Sequence, residues 1–170
     1  MGGNGRAPSL TREQADASAC EFPTGHPLRH GTDERYVYLM ANDRGEQRLP
    51  FRDVVKCDLK DAGGRQVWHS DALVSEPILA PSGGSAEDDG WLLVQMYYPR
   101  EHRNEIAILD ARHVDAGPVC RIQLRHHYPF PFHSTHSPAV LGIARHEHAL
   151  RPESSASVSM GEPPQPHSRL

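Results

Sequence analysis

Apolar and polar residues alternate only in the middle of this chain, from roughly residue 35 to residue 127. Short apolar runs there are separated by clusters of Gly, Asn, Asp and Pro, the residues that favour tight turns. The runs predict about seven β-strands, at residues 36–40, 51–59, 66–69, 78–80, 91–98, 105–109 and 119–124. Because no run has a convincing helical period, the pattern predicts an all-β protein built as an antiparallel meander.

The connections between these runs narrow the choice among all-β architectures. Turn residues at 61–64 predict that the second and third strands form a hairpin. Meanders of this kind occur in sandwiches, barrels and propellers. A sandwich of the immunoglobulin type is disfavoured because neither Trp68 nor Trp91 lies between paired cysteines. The strand lengths and turns fit propeller blades best.

Composition argues against several kinds of protein. The apolar share of 37% is low for a compact domain of 170 residues, and the net charge is -4. Since Lys and Arg form no cluster that would attract phosphates, nucleic acid is not an expected partner. The sequence contains no run of about 18 apolar residues, so it predicts no transmembrane helix. Cys20, Cys57 and Cys120 are odd in number and widely spaced, which indicates a reducing compartment rather than a disulfide framework or a zinc site.

Both ends of the chain differ from its middle, because Gly, Pro, Ser and His crowd them. Segments of this composition bury too little apolar surface to offset the cost of ordering the backbone, roughly 1 to 2 kcal/mol per residue. We therefore expect a disordered segment over residues 1–20, a folded region over residues 21–137 and a divergent, disordered tail over residues 138–170.

Several short motifs of the folded region resemble, in order, those of the carotenoid cleavage oxygenases, the family that includes the retinal pigment epithelium isomerohydrolase. Ser-Glu-Pro at residues 75–77 resembles the family's Gly-Glu-Pro, and Pro-Phe-His at residues 131–133 resembles its closing Gly-Phe-His. The other matching segments are residues 21–23, 35–38, 49–51, 55–59, 87–93 and 108–111. Their order and spacing carry the resemblance, since each motif alone is weak evidence.

The resemblance implies the C-terminal blades of a seven-bladed β-propeller with a non-haem ferrous iron, Fe(2+), on its axis. In the family four histidines hold the iron and glutamates support those histidines. By position, His133 matches the last iron ligand, and Glu76 matches a glutamate that accepts a hydrogen bond from another ligand's imidazole. Such a carboxylate fixes the imidazole tautomer and raises its basicity. The family uses dioxygen to cleave a conjugated double bond of a carotenoid or apocarotenoid substrate.

The same resemblance implies that this chain cannot complete an iron site alone, because one histidine does not hold ferrous iron and the other family ligands would lie outside it. We expect a fragment of a carotenoid-cleaving dioxygenase that is inactive by itself. A truncated reading frame, a splice product and a short protein are all compatible with the sequence. Because the N-terminus has no transit-peptide pattern, we expect a cytoplasmic protein, with a plastid as the alternative.

Two residues depart from the family pattern. Ser75 and Pro131 stand where the family has glycines, and glycine tolerates backbone conformations that serine and proline do not. Both backbones are therefore expected to be held differently. After His133 the chain continues with Ser-Thr-His-Ser-Pro instead of the family's glycine and final strand.

Two other hypotheses stay open. The chain could be a non-catalytic interaction fragment, because an incomplete propeller has open strand edges that can pair with another chain by strand addition. The His-rich tail at residues 145–170 could instead bind divalent metal ions. Four further histidines lie in turns or at alternating strand positions, where exposure is expected and a role as a metal ligand is not: His102, His113, His126 and His127.

Overall fold

The computed structural model describes residues 9–45, 49–131 and 133–137. The chain divides into a unit of Met1–His136 and a unit of Ser137–Leu170, of which only Ser137 is described. The tail predicted over residues 138–170, with its metal-binding hypothesis, lies outside the described residues. In the described part of the chain, no helix is long and apolar enough to cross a membrane.

The first sheet consists of four antiparallel strands in chain order. These are β1 (Ala19–Thr24), β2 (Tyr36–Asn42), β3 (Asp53–Asp58) and β4 (Gln66–His69). The predicted hairpin is confirmed as β3 and β4, which pair from Asp53 opposite His69 to Lys56 opposite Gln66. Strand β1 was not predicted, because Pro23 and a register shift interrupt its alternation.

The second sheet also follows chain order. Its strands are β5 (Leu73–Val74), β6 (Ile78–Pro81), β7 (Gly90–Tyr98), β8 (Arg103–Asp110) and β9 (Pro118–Gln123). Both β5 and β6 pair with β7, which pairs with β8, and β8 pairs with β9. Every pairing is antiparallel, so the predicted all-β antiparallel class is confirmed.

The main core is formed by residues of both sheets. Along β7 buried residues alternate with more exposed ones, the pattern of a strand with one face turned to a core. Each fully buried aliphatic side chain of this kind contributes about 1.5 to 3 kcal/mol to folding. The principal members are Tyr38, Met40, Val54 and Trp68 from the first sheet, and Leu92, Val94, Met96 and Leu109 from the second.

A second apolar cluster lies on the opposite face of the first sheet, around Leu39, Val55 and Cys57. Burial raises the pKa of the Cys57 thiol to about 11, and all three cysteines are free. Asp16 reaches this face from the segment expected to be disordered. Its buried carboxylate contacts the Cys57 sulfur at 3.8 Å and pairs with Arg65, which anchors the chain ahead of β1.

Charged groups of the loop before β7 bind the two sheets together. Glu87 Oε1 accepts hydrogen bonds from the backbone N–H groups of Arg35 and Tyr36, at 2.7 and 2.8 Å, where β2 begins. Lys56 of β3, only 3% exposed, places its Nζ 2.8 Å from Asp88 Oδ2 and 4.2 Å from the centre of the Tyr36 ring. These contacts satisfy a buried cation and hold the loop of the second sheet against the first.

Replacing Lys56 by Met should lower the free energy of unfolding by about 3 kcal/mol, because removing one partner leaves the other charge poorly compensated. Lys60→Met is the matched control, since Lys60 pairs with Asp33 at 2.6 Å on the surface, where such a pair contributes at most about 1 kcal/mol. Urea denaturation of both variants measures the difference. Equal losses would show that the buried pair does not join the sheets.

Candidate functional site

Glu76 lies where the edge of the second sheet is interrupted. Strand β5 ends at Val74 and β6 begins at Ile78, although both pair with the uninterrupted β7. Pro77 has no N–H to donate and therefore cannot continue the ladder. The Glu76 side chain is 13% exposed at this break. The local sequence thus sets this carboxylate at an irregular point of an otherwise regular edge.

Ser75 stabilises the break. Its backbone N–H donates to the Gln95 carbonyl at 2.9 Å, and its hydroxyl oxygen accepts from the Gln95 N–H at 3.0 Å. The hydroxyl therefore takes a hydrogen bond that the interrupted ladder would otherwise leave unmade. Ser75 is not among the non-glycine residues of the described chain with a positive φ, so serine replaces the family's glycine there without that kind of backbone strain.

His133 comes to Glu76 from the far end of the described chain. Its Nδ1 atom lies 3.6 Å from Glu76 Oε2, and the same oxygen accepts the Ser134 backbone N–H at 2.8 Å. The Ser134 contact is a charge-assisted hydrogen bond, whereas 3.6 Å is too long for one and makes the His133 contact electrostatic. The structure thus brings together the two residues that the sequence singled out.

In the structure the Glu76 carboxylate faces His133. The support of another ligand's imidazole, which the resemblance implied, would involve a residue outside this chain and stays a prediction. The His133 ring is 65% exposed. Nδ1 is the ring nitrogen that faces the carboxylate, and Nε2 lies on the opposite side of the ring.

Phe22 is a neighbour of His133 that sequence reasoning missed. The two rings meet edge to face, with centroids 4.9 Å apart and planes inclined by 71°. Phe22 belongs to β1, a strand from the opposite sheet to Glu76. The Glu-Phe-Pro motif at residues 21–23 contributed to the family resemblance, and that motif is the signal that could have directed attention to this ring.

A small cavity lies close to the Glu76 and His133 pair. Its volume is about 70 Å³, enough to hold ordered water. Its lining comes from the end of β1, the start of β6 and the segment after His133, and it consists of Thr24, Gly25, Pro27, His30, Ile78, Leu79, Ser134, Thr135 and His136.

The donor atoms present fit one position of an iron site and not a complete one. Within residues 9–45, 49–131 and 133–137, no three His, Cys, Asp or Glu side chains come close enough together to hold a metal ion. An exposed imidazole oriented by a carboxylate is nevertheless a standard ligand arrangement. The described residues can therefore contribute His133 to a metal site whose other ligands come from elsewhere.

The other four histidines that the sequence analysis weighed are exposed, as predicted. Three of them have polar neighbours outside the site. His113 Nδ1 lies 3.2 Å from Asp110 Oδ2, His102 contacts the Tyr97 hydroxyl at 3.2 Å, and His127 contacts Asn104 Oδ1 at 2.9 Å. The first two are surface contacts, whereas the third joins an exposed histidine to the buried Asn104 of β8.

Comparison with known proteins gives a consistent result. The family model described as Retinal pigment epithelial membrane protein matches residues 4–138. Apocarotenoid-15,15'-oxygenase of Synechocystis sp. is 37% identical over 133 residues, which cover 76% of this chain and 27% of that protein. The chloroplastic carotenoid cleavage dioxygenase 7 of Oryza sativa subsp. japonica is 32% identical over 122 residues, covering 68% of this chain and 20% of that protein.

Solved structures agree with these sequence relatives. The cobalt-substituted apocarotenoid oxygenase of Synechocystis superposes with a TM-score of 0.63 at 39% identity, over 68% of this chain and 25% of that one. The chain thus spans about a quarter of the length of the relatives it matches.

Replacing Glu76 by Ala should release the Ser134 backbone N–H and raise its rate of exchange with solvent about 10-fold, because a hydrogen bond to a charged acceptor contributes about 1.5 kcal/mol or more. Glu76→Gln keeps an acceptor and should have a smaller effect. NMR amide exchange measures both, with Glu101→Ala in an exposed turn as the control. Unchanged Ser134 exchange in the Glu76→Ala variant would contradict the contact.

Proposed function

The chain belongs to the carotenoid cleavage oxygenase family, and we propose that it forms part of a non-haem iron(II) dioxygenase that cleaves a double bond of a carotenoid or apocarotenoid. The contact between Glu76 and His133 is the observation that carries the proposal. It joins a carboxylate to the one histidine that matches a family ligand, in a chain related to an apocarotenoid oxygenase and a carotenoid cleavage dioxygenase.

The two residues have separate tasks in this proposal. His133 would hold the iron through Nε2, and the Glu76 carboxylate, 3.6 Å from Nδ1, would favour the tautomer with its proton on Nδ1 and raise the basicity of the ring. The hydrogen bond from Ser134 keeps the carboxylate in place. When bound, ferrous iron supplies the chemistry by which dioxygen cleaves the conjugated bond. The remaining ligands lie outside this chain, so the chain alone is inactive.

The fold supports a place for these residues in a seven-bladed propeller, as its C-terminal blades. Each sheet consists of antiparallel strands that follow one another in the chain, and a propeller blade is a four-stranded sheet of this kind. In the second sheet β5 and β6 together occupy the edge position beside β7. Glu76 lies in the break of that divided edge.

A second function is favoured by one observation. Strand β9 forms an edge of the second sheet, and Val119 and Ile122 on it are 61% and 45% exposed. An exposed apolar edge is a template for strand addition by another chain. In this alternative the protein is a non-catalytic interaction fragment, and His133 has no working role.

A chimera tests the proposed function. The complete chain would replace the matching segment of the Synechocystis apocarotenoid-15,15'-oxygenase, and bound iron and cleavage of an apocarotenal would be measured. We expect the chimera to hold iron and to be active, and His133→Ala to lose both. Glu76→Gln should reduce activity about 10- to 100-fold, the usual cost of removing a residue that orients a metal ligand.

His113→Ala is the matched control, because His113 is exposed and its ion pair is with Asp110, on a turn of the second sheet away from the site. It should leave iron content and activity unchanged. A His133→Ala chimera that keeps full iron and activity would contradict the proposal and favour the interaction fragment.

A further inference from the structure

We propose that Phe22 is a positioning residue for His133, restricting the plane of the imidazole through an edge-to-face contact. The evidence is the edge-to-face contact of the two rings, with centroids 4.9 Å apart. Phe22 is partly buried and packs against the main core, so its ring has support behind it. His133 itself is largely exposed and follows no strand.

The backbone of Phe22 is unusual in a way that serves this contact. Its φ is +55°, and in the described chain only His102 shares a positive φ among non-glycine residues. For a bulky residue this conformation is a genuine outlier, and such outliers cluster at sites where geometry matters. The neighbouring peptide groups cannot relax freely, because they belong to a strand paired with β2.

The register of β1 shows how the conformation is imposed. Glu21 lies opposite Met40, but Thr24 lies opposite Tyr38, so β1 uses one residue more than β2 over this interval. An extra residue of this kind is a β-bulge, which bends the strand and re-aims a side chain. In β1 the bulge contains Phe22, whose ring meets His133.

Two contacts orient an imidazole better than one. Glu76 approaches one nitrogen of the ring at 3.6 Å, and a contact at a single atom does not by itself define the plane of the ring. The Phe22 edge-to-face contact constrains the plane of the ring, a geometry that aromatic pairs prefer. Together they restrict His133 to one staggered χ1 rotamer.

The inference deepens the proposed function, because the orientation of His133 matters to the reaction only if His133 binds the metal. Its test is therefore made on the complete chain without metal. Three-bond couplings from the His133 Cγ atom to its backbone N and C′ atoms report how many χ1 rotamers the ring visits. The unaltered protein should show one dominant rotamer, and Phe22→Leu should show averaging over several.

Two variants serve as controls. Phe22→Tyr keeps an aromatic ring and should restore the single rotamer. Trp91→Leu makes a similar truncation at an exposed position of β7 and should leave the His133 couplings unchanged. Unchanged couplings in Phe22→Leu, or equal averaging in Trp91→Leu, would overturn the inference.

If Phe22→Leu fails to fold, the unaltered chain still decides the matter. Proton NOEs between the Phe22 and His133 rings, with a single His133 rotamer, would support the contact, and their absence would overturn it. If the chimera fails to hold iron while the contact between the Phe22 and His133 rings is observed, only the proposed function is contradicted. If the chimera holds iron while the contact between the rings is absent, only the role of Phe22 is contradicted.

Discussion

The site depends on a single constraint at the edge of the second sheet, where two short strands must pair with one continuous neighbour. Strands β5 and β6 share β7, and residues 75–77 cross the gap between them. Ser75 stabilises the gap by two hydrogen bonds to Gln95, and Pro77 prevents the ladder from closing. Glu76 is consequently held at the break, with its carboxylate available to His133 and Ser134 rather than paired along the edge.

The packing of the two sheets against each other supports that edge. Apolar residues of both sheets form one core, and the loop before β7 is tied to the first sheet through Glu87 and the buried pair of Lys56 and Asp88. The site draws on both sheets as well, since Phe22 comes from the first and Glu76 from the edge of the second. The relative position of the sheets therefore decides whether the two groups can act on one imidazole.

Periodicity was enough to predict the regular part of this fold. The alternation in β7 and the turn residues between β3 and β4 are local signals, and the structure confirms both. Strand β1 was missed because a bulge and Pro23 interrupt its alternation of apolar and polar residues. Strand β5 was missed because it has only two residues, too few to show an alternation. The break that holds Glu76 depends on pairing with β7, a relation that local periodicity does not contain.

The candidate site was predictable in its residues but not in its geometry. Glu76 and His133 were identified through motifs whose order resembles the family's. That they face each other is a tertiary relation, and the expectation of a partner outside the chain came from position alone. Phe22 lacked any chemical signal of its own, because an aromatic residue in a strand is usually part of a core.

The most direct test of the account is the tautomer of His133 in the complete, metal-free chain, read from long-range correlations between ring protons and ring nitrogens at a pH where imidazole is neutral. If the carboxylate favours a proton on Nδ1, the ring lone pair is on Nε2, and Glu76→Gln shifts the population toward the Nε2–H form. A proton on Nε2 in the unaltered protein, or a tautomer that Glu76→Gln leaves unchanged, would contradict the claim that Glu76 prepares His133 to bind a metal.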